Sequence, residues 1–259
     1  MLDALVVRPG SAADLAHRDP RDTLGLAGKD VAAVQLEALL HDLSTLQERL
    51  YAEGSRSVLL VLQGLDAAGK DGTIRNVFRG VNPQGCSVTS FKAPTPVELA
   101  HDFLWRVHAN CPARGMIGIF NRSHYEDVVT VGVLGLAPEQ VWRRRPQQIV
   151  EFERMLHDEG TTVLKFFLHV SAQEQIERFA ERLSDPSKRW KHNPKDEETS
   201  RHFGELMAAY EDALTATSTE WAPWYVIPAD RNWLRNLGVA TVLVDTLRRL
   251  DPQFPGAGA

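Results

Sequence analysis

Hydrophobic positions along the chain alternate between two periods. Leu36, Leu39, Leu40, Leu43, Leu46 and Leu50 recur at three- and four-residue steps, which predicts an amphipathic helix packed on a core and closed at Glu53-Gly54-Ser55. Val58 to Leu62 then run unbroken, a length that suits a buried strand. Runs of apolar and β-branched residues at Cys86 to Phe91, Met116 to Phe120, Thr161 to Val170 and Trp224 to Pro228 predict four further strands.

Helical signals fall between these runs. Thr73 to Phe78 opens a helix after the first strand. Thr95-Pro96-Val97-Glu98 is a capping box with proline at the first helical position, predicting a helix to about Ala109. A long helix is expected from Pro138 to His157, kinked or restarted at Pro146. Ser171-Ala172-Gln173-Glu174 caps another that continues to about Leu183, and two more are expected at about Glu198 to Thr215 and Asn232 to Leu250. Residues 1–28 mix Pro, Gly, Ala, Asp and Arg without periodicity and read as an arm on the surface or on a neighbouring subunit; residues 251–259 read as a frayed tail.

Strands alternating with helices predict an α/β fold: one domain over 29–250, a parallel sheet of about five strands, helices on both faces and right-handed crossovers. Ligands in such sheets bind beyond the carboxyl ends of the strands, so the segments after the first three should share a crevice.

Composition adds bounds. The 259 residues are 43% hydrophobic, enough for a packed core, and no apolar run is long enough to cross a bilayer. With no basic-then-apolar N-terminal pattern, a cytoplasmic location is expected. Cys86 and Cys111 form neither a disulfide framework nor a zinc spacing, and the histidines lack the paired spacing of metal ligands. A net charge of −5 gives no general attraction for nucleic acid, so any polyanion must be held by local clusters of lysine and arginine.

The candidate chemistry begins where the first strand breaks. Gly64-Leu65-Asp66-Ala67-Ala68-Gly69-Lys70 has the spacing of a phosphate loop, whose amides converge on one point beside a lysine and a helix N-terminus. Asp71 stands where that fingerprint has Ser or Thr, and Gly72 and Thr73 follow. A carboxylate beside a polyanion needs a cation between them, which assigns Asp66 to magnesium, or manganese in its place. Lys92 ends the second strand, and the third ends in Asn121-Arg122-Ser123-His124-Tyr125-Glu126-Asp127. We expect Asn121, Ser123, Tyr125, Glu126 and Asp127 on the nucleotide side, with Asp127 completing the metal site and Arg122 bridging donor and acceptor. The segment Ser184 to Lys195, holding Lys188, Arg189, Lys191 and Lys195, reads as a basic lid over about 182–200, with Arg182 at its start. These residues are compatible with phosphoryl transfer, with an ATP-dependent kinase of nucleotides or small molecules, or with a non-catalytic polyphosphate or nucleotide sensor.

Four stretches in this order narrow the reading: Gly64 to Thr73, Thr89 to Thr95, Phe120 to Asp127 and Ala222 to Arg231. Together they resemble the family-2 polyphosphate kinases over about residues 20–250. The resemblance implies a P-loop kinase fold with a helical lid, and magnesium-assisted phosphoryl transfer between inorganic polyphosphate and AMP or ADP, with guanine nucleotides as further partners. It also implies roles for Asp66, Lys70, Arg122 and Arg182. The form of residues 121–127 is similar to the subgroup that acts on monophosphates and diphosphates alike, although Asn121 stands where other subgroups carry aspartate. The arm and the long first helix would suit a homo-oligomer, without nucleic-acid or membrane partners.

Overall fold

A computed structural model describes residues 2–187, 189 and 200–256. Six strands form one sheet in the order β1-β6-β5-β2-β4-β3: β1 (Val6–Val7), β2 (Ser57–Gln63), β3 (Cys86–Ser90), β4 (Ile117–Asn121), β5 (Thr161–His169) and β6 (Trp224–Pro228). The five expected strands are all present and pair in parallel. β2 is buried at every position and β5 at nearly every one, as strands covered on both faces must be.

One face carries the Lys29–Glu53 and Asn232–Leu250 helices packed against each other, with Lys70–Val77 beside the second. The other carries Arg145–Asp158 and Phe203–Thr217. The leucine period placed the first helix correctly, with Leu40, Leu43, Leu46 and Leu50 buried. Pro146 does restart a helix, separating the turn Glu139–Trp142 from Arg145–Asp158. Among the described residues, no helix is long and apolar enough to cross a membrane.

Three expectations are corrected. The segment 1–28, expected as an arm on the surface or on a neighbouring subunit, packs into the chain's own sheet: β1 adds an antiparallel edge strand to β6, and Leu5, Val7, Ala13 and Leu15 are buried. Arg18 clasps this segment by donating to the carbonyls of Ala4, Leu5, Val6 and Ala13. The helix expected from Thr95 to Ala109 is two short turns, Pro96–Leu99 and Trp105–His108, although its capping box forms. Asp102 causes the break, because its carboxylate accepts from the Leu104 N–H at 2.9 Å and competes with the helical ladder. The helix after the first strand begins at Lys70, three residues earlier than Thr73, so the lysine sits in its first turn. Most of the expected lid lies outside the described residues; the helix following it runs Phe203–Thr217.

Candidate active site

The glycine-framed loop hangs from the end of β2 between the ends of β4 and β5. Gly64 has φ +148°, and a Cβ there would meet the Leu168 carbonyl oxygen at 2.8 Å, so the close approach of loop to β5 requires glycine. Ala67 also takes a left-handed conformation, with φ 64°, and Gly69 follows at φ 101°. Ala68 N–H bonds the Leu65 carbonyl, closing the turn. The helix N-terminus and its orphan N–H groups then face the same crevice as Lys70.

Lys70 is buried and curls back over the loop, where Nζ donates to the Gly64 carbonyl at 2.7 Å and the Leu65 carbonyl at 3.1 Å. Two of the ammonium's three protons are thereby committed, and one remains for a ligand. Burial, reinforced by the Arg122 charge, pulls its pKa down to about 8 against the opposing pull of Asp66, Glu126 and Asp71.

Arg122 lies at φ 62°, immediately after β4, and its guanidinium pairs with Asp66 and, at 3.3 Å, with Glu126. Burial acts to lower the Arg122 pKa, but Glu126 and Asp66 outweigh it and hold the group charged. Burial likewise acts to raise the Asp66 pKa; Arg122 first, then Lys70 and Arg182, overcomes it and keeps the carboxylate below its usual range. Asp66, Lys70, Arg122 and Glu126 therefore share one electrostatic site. Asn121 joins its rim, donating to Asp71 Oδ1 at 2.8 Å and to Ser90 Oγ at 3.4 Å. Glu126 also accepts from Thr130 Oγ1 at 2.6 Å.

Other expected site residues point elsewhere. Tyr125 is fully buried: its hydroxyl donates toward Glu153 Oε1 at 2.9 Å and Thr217 Oγ1 at 3.1 Å and accepts from Lys165 Nζ at 3.0 Å, so it belongs to the core. Ser123 is buried as well, accepting from the Tyr125 N–H and lying 3.1 Å from the Gln63 amide. Asp127 faces Arg145 at 3.4 Å and Arg106 at 3.7 Å, but burial outweighs both cations and raises its pKa, and Oδ2 has no hydrogen-bond partner among the described residues.

At the periphery, Lys92 is exposed just past the outer edge strand β3, two strands from the loop, or roughly 10 Å across the sheet. Its carbonyl accepts from Arg106 Nη1 at 2.8 Å. Arg182 is half-buried with its guanidinium 5.4 Å from the Phe179 ring. Arg189 folds back to donate to the Leu183 carbonyl at 2.8 Å, and Lys188 lies outside the described residues.

Three site residues had no signal in the sequence because each reaches the loop from a distant helix. Gln175 donates to the Asp66 carbonyl at 2.9 Å. Arg178 fastens the loop to the end of β6, donating to the carbonyls of Ala67 at 2.9 Å, Ala229 at 2.6 Å and Asp230 at 3.0 Å. Arg235, from the last helix, lies against Gly69 and Gly72: a Cβ on Gly69 would fall 1.9 Å from its Nη1.

The donor set suits a small, hard cation. Among the described residues no group of three or more His, Cys, Asp or Glu gathers, so a metal that needs an all-protein cage does not fit. Magnesium would be compatible with Asp66, because it takes one or two carboxylates and completes its shell with water and phosphate oxygens.

The chain is 55% identical over 250 residues to the AMP/ADP-polyphosphate phosphotransferase of Meiothermus ruber, covering 96% of this chain and 94% of that protein. It is 44% identical over 232 residues to the ADP-polyphosphate phosphotransferase of Rhodopseudomonas palustris, covering 85% and 80%. The crystal structure of polyphosphate kinase 2 from Arthrobacter aurescens TC1 superposes with a TM-score of 0.94 at 41% identity, covering 99% of this chain and 92% of that one. Residues 27–255 match the family described as Polyphosphate kinase 2, and with this sheet, this loop and these relatives the chain belongs to that family.

Proposed function

We propose that this protein moves a phosphoryl group between inorganic polyphosphate and AMP or ADP, forming ADP and ATP. The observation that carries this reading is the convergence of Lys70, Asp66, Arg122 and Glu126 on one phosphate loop, in a chain 55% identical along 96% of its length to a relative named for that reaction. Relatives named for GDP and NDP, at 31% and 35% identity, make guanine nucleotides secondary candidates.

The residues divide the work by charge. The loop amides and the free Lys70 proton bind oxygens of the transferred phosphoryl, and the helix N-terminus favours its negative charge. Arg122 retains donors beyond those given to Asp66 and Glu126, so its planar fork can span two phosphates and hold donor and acceptor in line. Asp66 would hold magnesium, which neutralises charge spread over the phosphoryl oxygens. Arg182 adds a further cation, whose field reaches Asp66.

The test is a matrix of donors and acceptors: polyphosphate or ATP as donor, AMP or ADP as acceptor, with magnesium. Polyphosphate with AMP should yield ADP and then ATP. A protein that accepts only ATP as donor would be an ordinary kinase, and one that binds polyphosphate without any transfer would be a sensor; either result overturns the reading.

A further inference from the structure

Arg235 is a cation buried without an acid. It is 3% exposed, and among the described residues no carboxylate lies within ion-pairing distance of it. Its hydrogen-bond partners are all neutral: Asn232 Oδ1 at 2.6 Å, Asn236 Oδ1 at 3.2 Å and the Ala68 carbonyl at 3.4 Å. Nε has no hydrogen-bond partner among the described residues. Burying a guanidinium in this way is unfavourable, since desolvation is not repaid by a counter-charge. Burial, together with the neighbouring Arg178 charge, draws its pKa down to about 9.

Its position supplies a reason for keeping it. The guanidinium is pressed against the backbone of Gly69 and Gly72, which flank Lys70 in the cradle, and Gly69 has no room for a side chain because Nη1 occupies it. The loop backbone separates this charge from solvent, in a medium where a charge is felt over several ångströms with little screening.

We propose that Arg235 is a positioning residue for the polyanionic substrate: its charge, held behind the phosphate loop, raises the positive potential of the cradle, and the bound phosphates are the counter-charge it otherwise lacks. This rests on the phosphotransfer reading only for the identity of the polyanion. Lys70 meets phosphate directly; Arg235 acts through the loop amides that it backs.

A structural prop and an electrostatic one predict different responses to Arg235→Lys, which keeps the charge but not the fork of donors. Binding of inorganic tripolyphosphate, measured by calorimetry at pH 6.5 without nucleotide, reads the difference. Arg235→Met should weaken binding by about 10- to 100-fold, the effect of one unit charge at short range in a partly buried site. Arg235→Lys, which retains a basic group at that position, should stay closer to wild type than Arg235→Met. In turnover with polyphosphate, Arg235→Met should raise KM more than it lowers kcat.

Equal weakening in the lysine and methionine variants would overturn the proposal in favour of loop shape, and methionine binding as tight as wild type would overturn it outright. Should the methionine variant not fold, Arg235→Gln, which still donates toward Asn232 and Asn236, takes its place with the same reading. Wild-type protein that fails to bind tripolyphosphate would defeat the phosphotransfer reading itself, whereas wild-type binding matched by unaffected variants would defeat only the role of Arg235.

Discussion

Lys165 and Glu153 form an ion pair in the middle of the core, and breaking it should be severe. Their side chains are 0% and 1% exposed and meet at 2.6 Å. Lys165 also donates to the Thr217 carbonyl at 2.7 Å and the Tyr125 hydroxyl at 3.0 Å, and Glu153 accepts from Tyr125 and contacts His124 at 3.3 Å. Burial works to raise the Glu153 pKa, but Lys165 and His124 hold it below the usual range. In Lys165→Met the carboxylate keeps only a phenol and an imidazole, and an uncompensated buried charge costs about 3–5 kcal/mol. Glu153→Gln should lose a similar amount by stranding the ammonium. The double variant Lys165→Met/Glu153→Leu removes both charges and should lose less than either single change, because desolvation of both ions is relieved together. Urea titrations followed by tryptophan fluorescence suit the measurement, since Trp224 lies 5.3 Å from Lys165 Nζ. The Glu153 contribution should be full above about pH 4.3, the unfolded glutamate value, and fade as acid protonates the folded carboxylate; burial lowers the Lys165 pKa, so the pair is complete only below the pH at which that ammonium loses its proton. A single variant losing under about 1 kcal/mol, or losses that simply add in the double variant, would refute the reasoning.

Two further outcomes follow from the site. Because burial draws the Lys70 pKa down to about 8, kcat/KM for polyphosphate should fall about tenfold per pH unit above that value; a profile flat to pH 10 would show that its proton is not needed. Asp66→Asn should raise the magnesium concentration for half-maximal rate by at least the 10- to 100-fold typical of losing a metal site's supporting contacts, roughly. Asp127→Asn should leave that requirement unchanged, as its carboxylate belongs to Arg106 and Arg145, and a shift equal to that of Asp66→Asn would reverse the assignment.

Local chemistry explains what could be read from the chain. Gly64, Gly69 and Lys70 lie within seven residues and declare the loop; Thr95 and Glu98 satisfy each other across one turn; Pro146 restarts a helix whatever surrounds it. Legibility ends where side chains meet across the fold. Arg178 and Arg235 look like ordinary helical arginines, and only the packing of their helices brings them to the loop. β1 has two residues, too few to show a period, and its stability comes from β6 and the Arg18 clasp. In the polar cluster 121–127 residue type reports polarity but not direction: Arg122 and Glu126 face the crevice, while Ser123, His124 and Tyr125 face the core.

That division of the turn links core to chemistry. Arg122 holds a left-handed backbone conformation that disfavours a side chain by about 1–3 kcal/mol, so something must hold it there. On its N-terminal side, the Asn121 carbonyl accepts from the Phe91 N–H and the Asn121 amide grips Asp71, while the Arg122 N–H bonds the Leu62 carbonyl on β2. On its C-terminal side, the Gln63 amide, oriented to satisfy all its neighbours, takes the Ser123 N–H and hydroxyl and donates to Glu126 Oε1 at 3.1 Å. Tyr125 then anchors the turn to Lys165, Glu153 and Thr217. A guanidinium that must bridge two phosphates tolerates little angular freedom, and these bonds remove it before substrate arrives. It follows that Lys165→Met, which never touches the crevice, should lower kcat even at temperatures where the variant remains folded, by releasing Tyr125 and with it the backbone that aims Arg122.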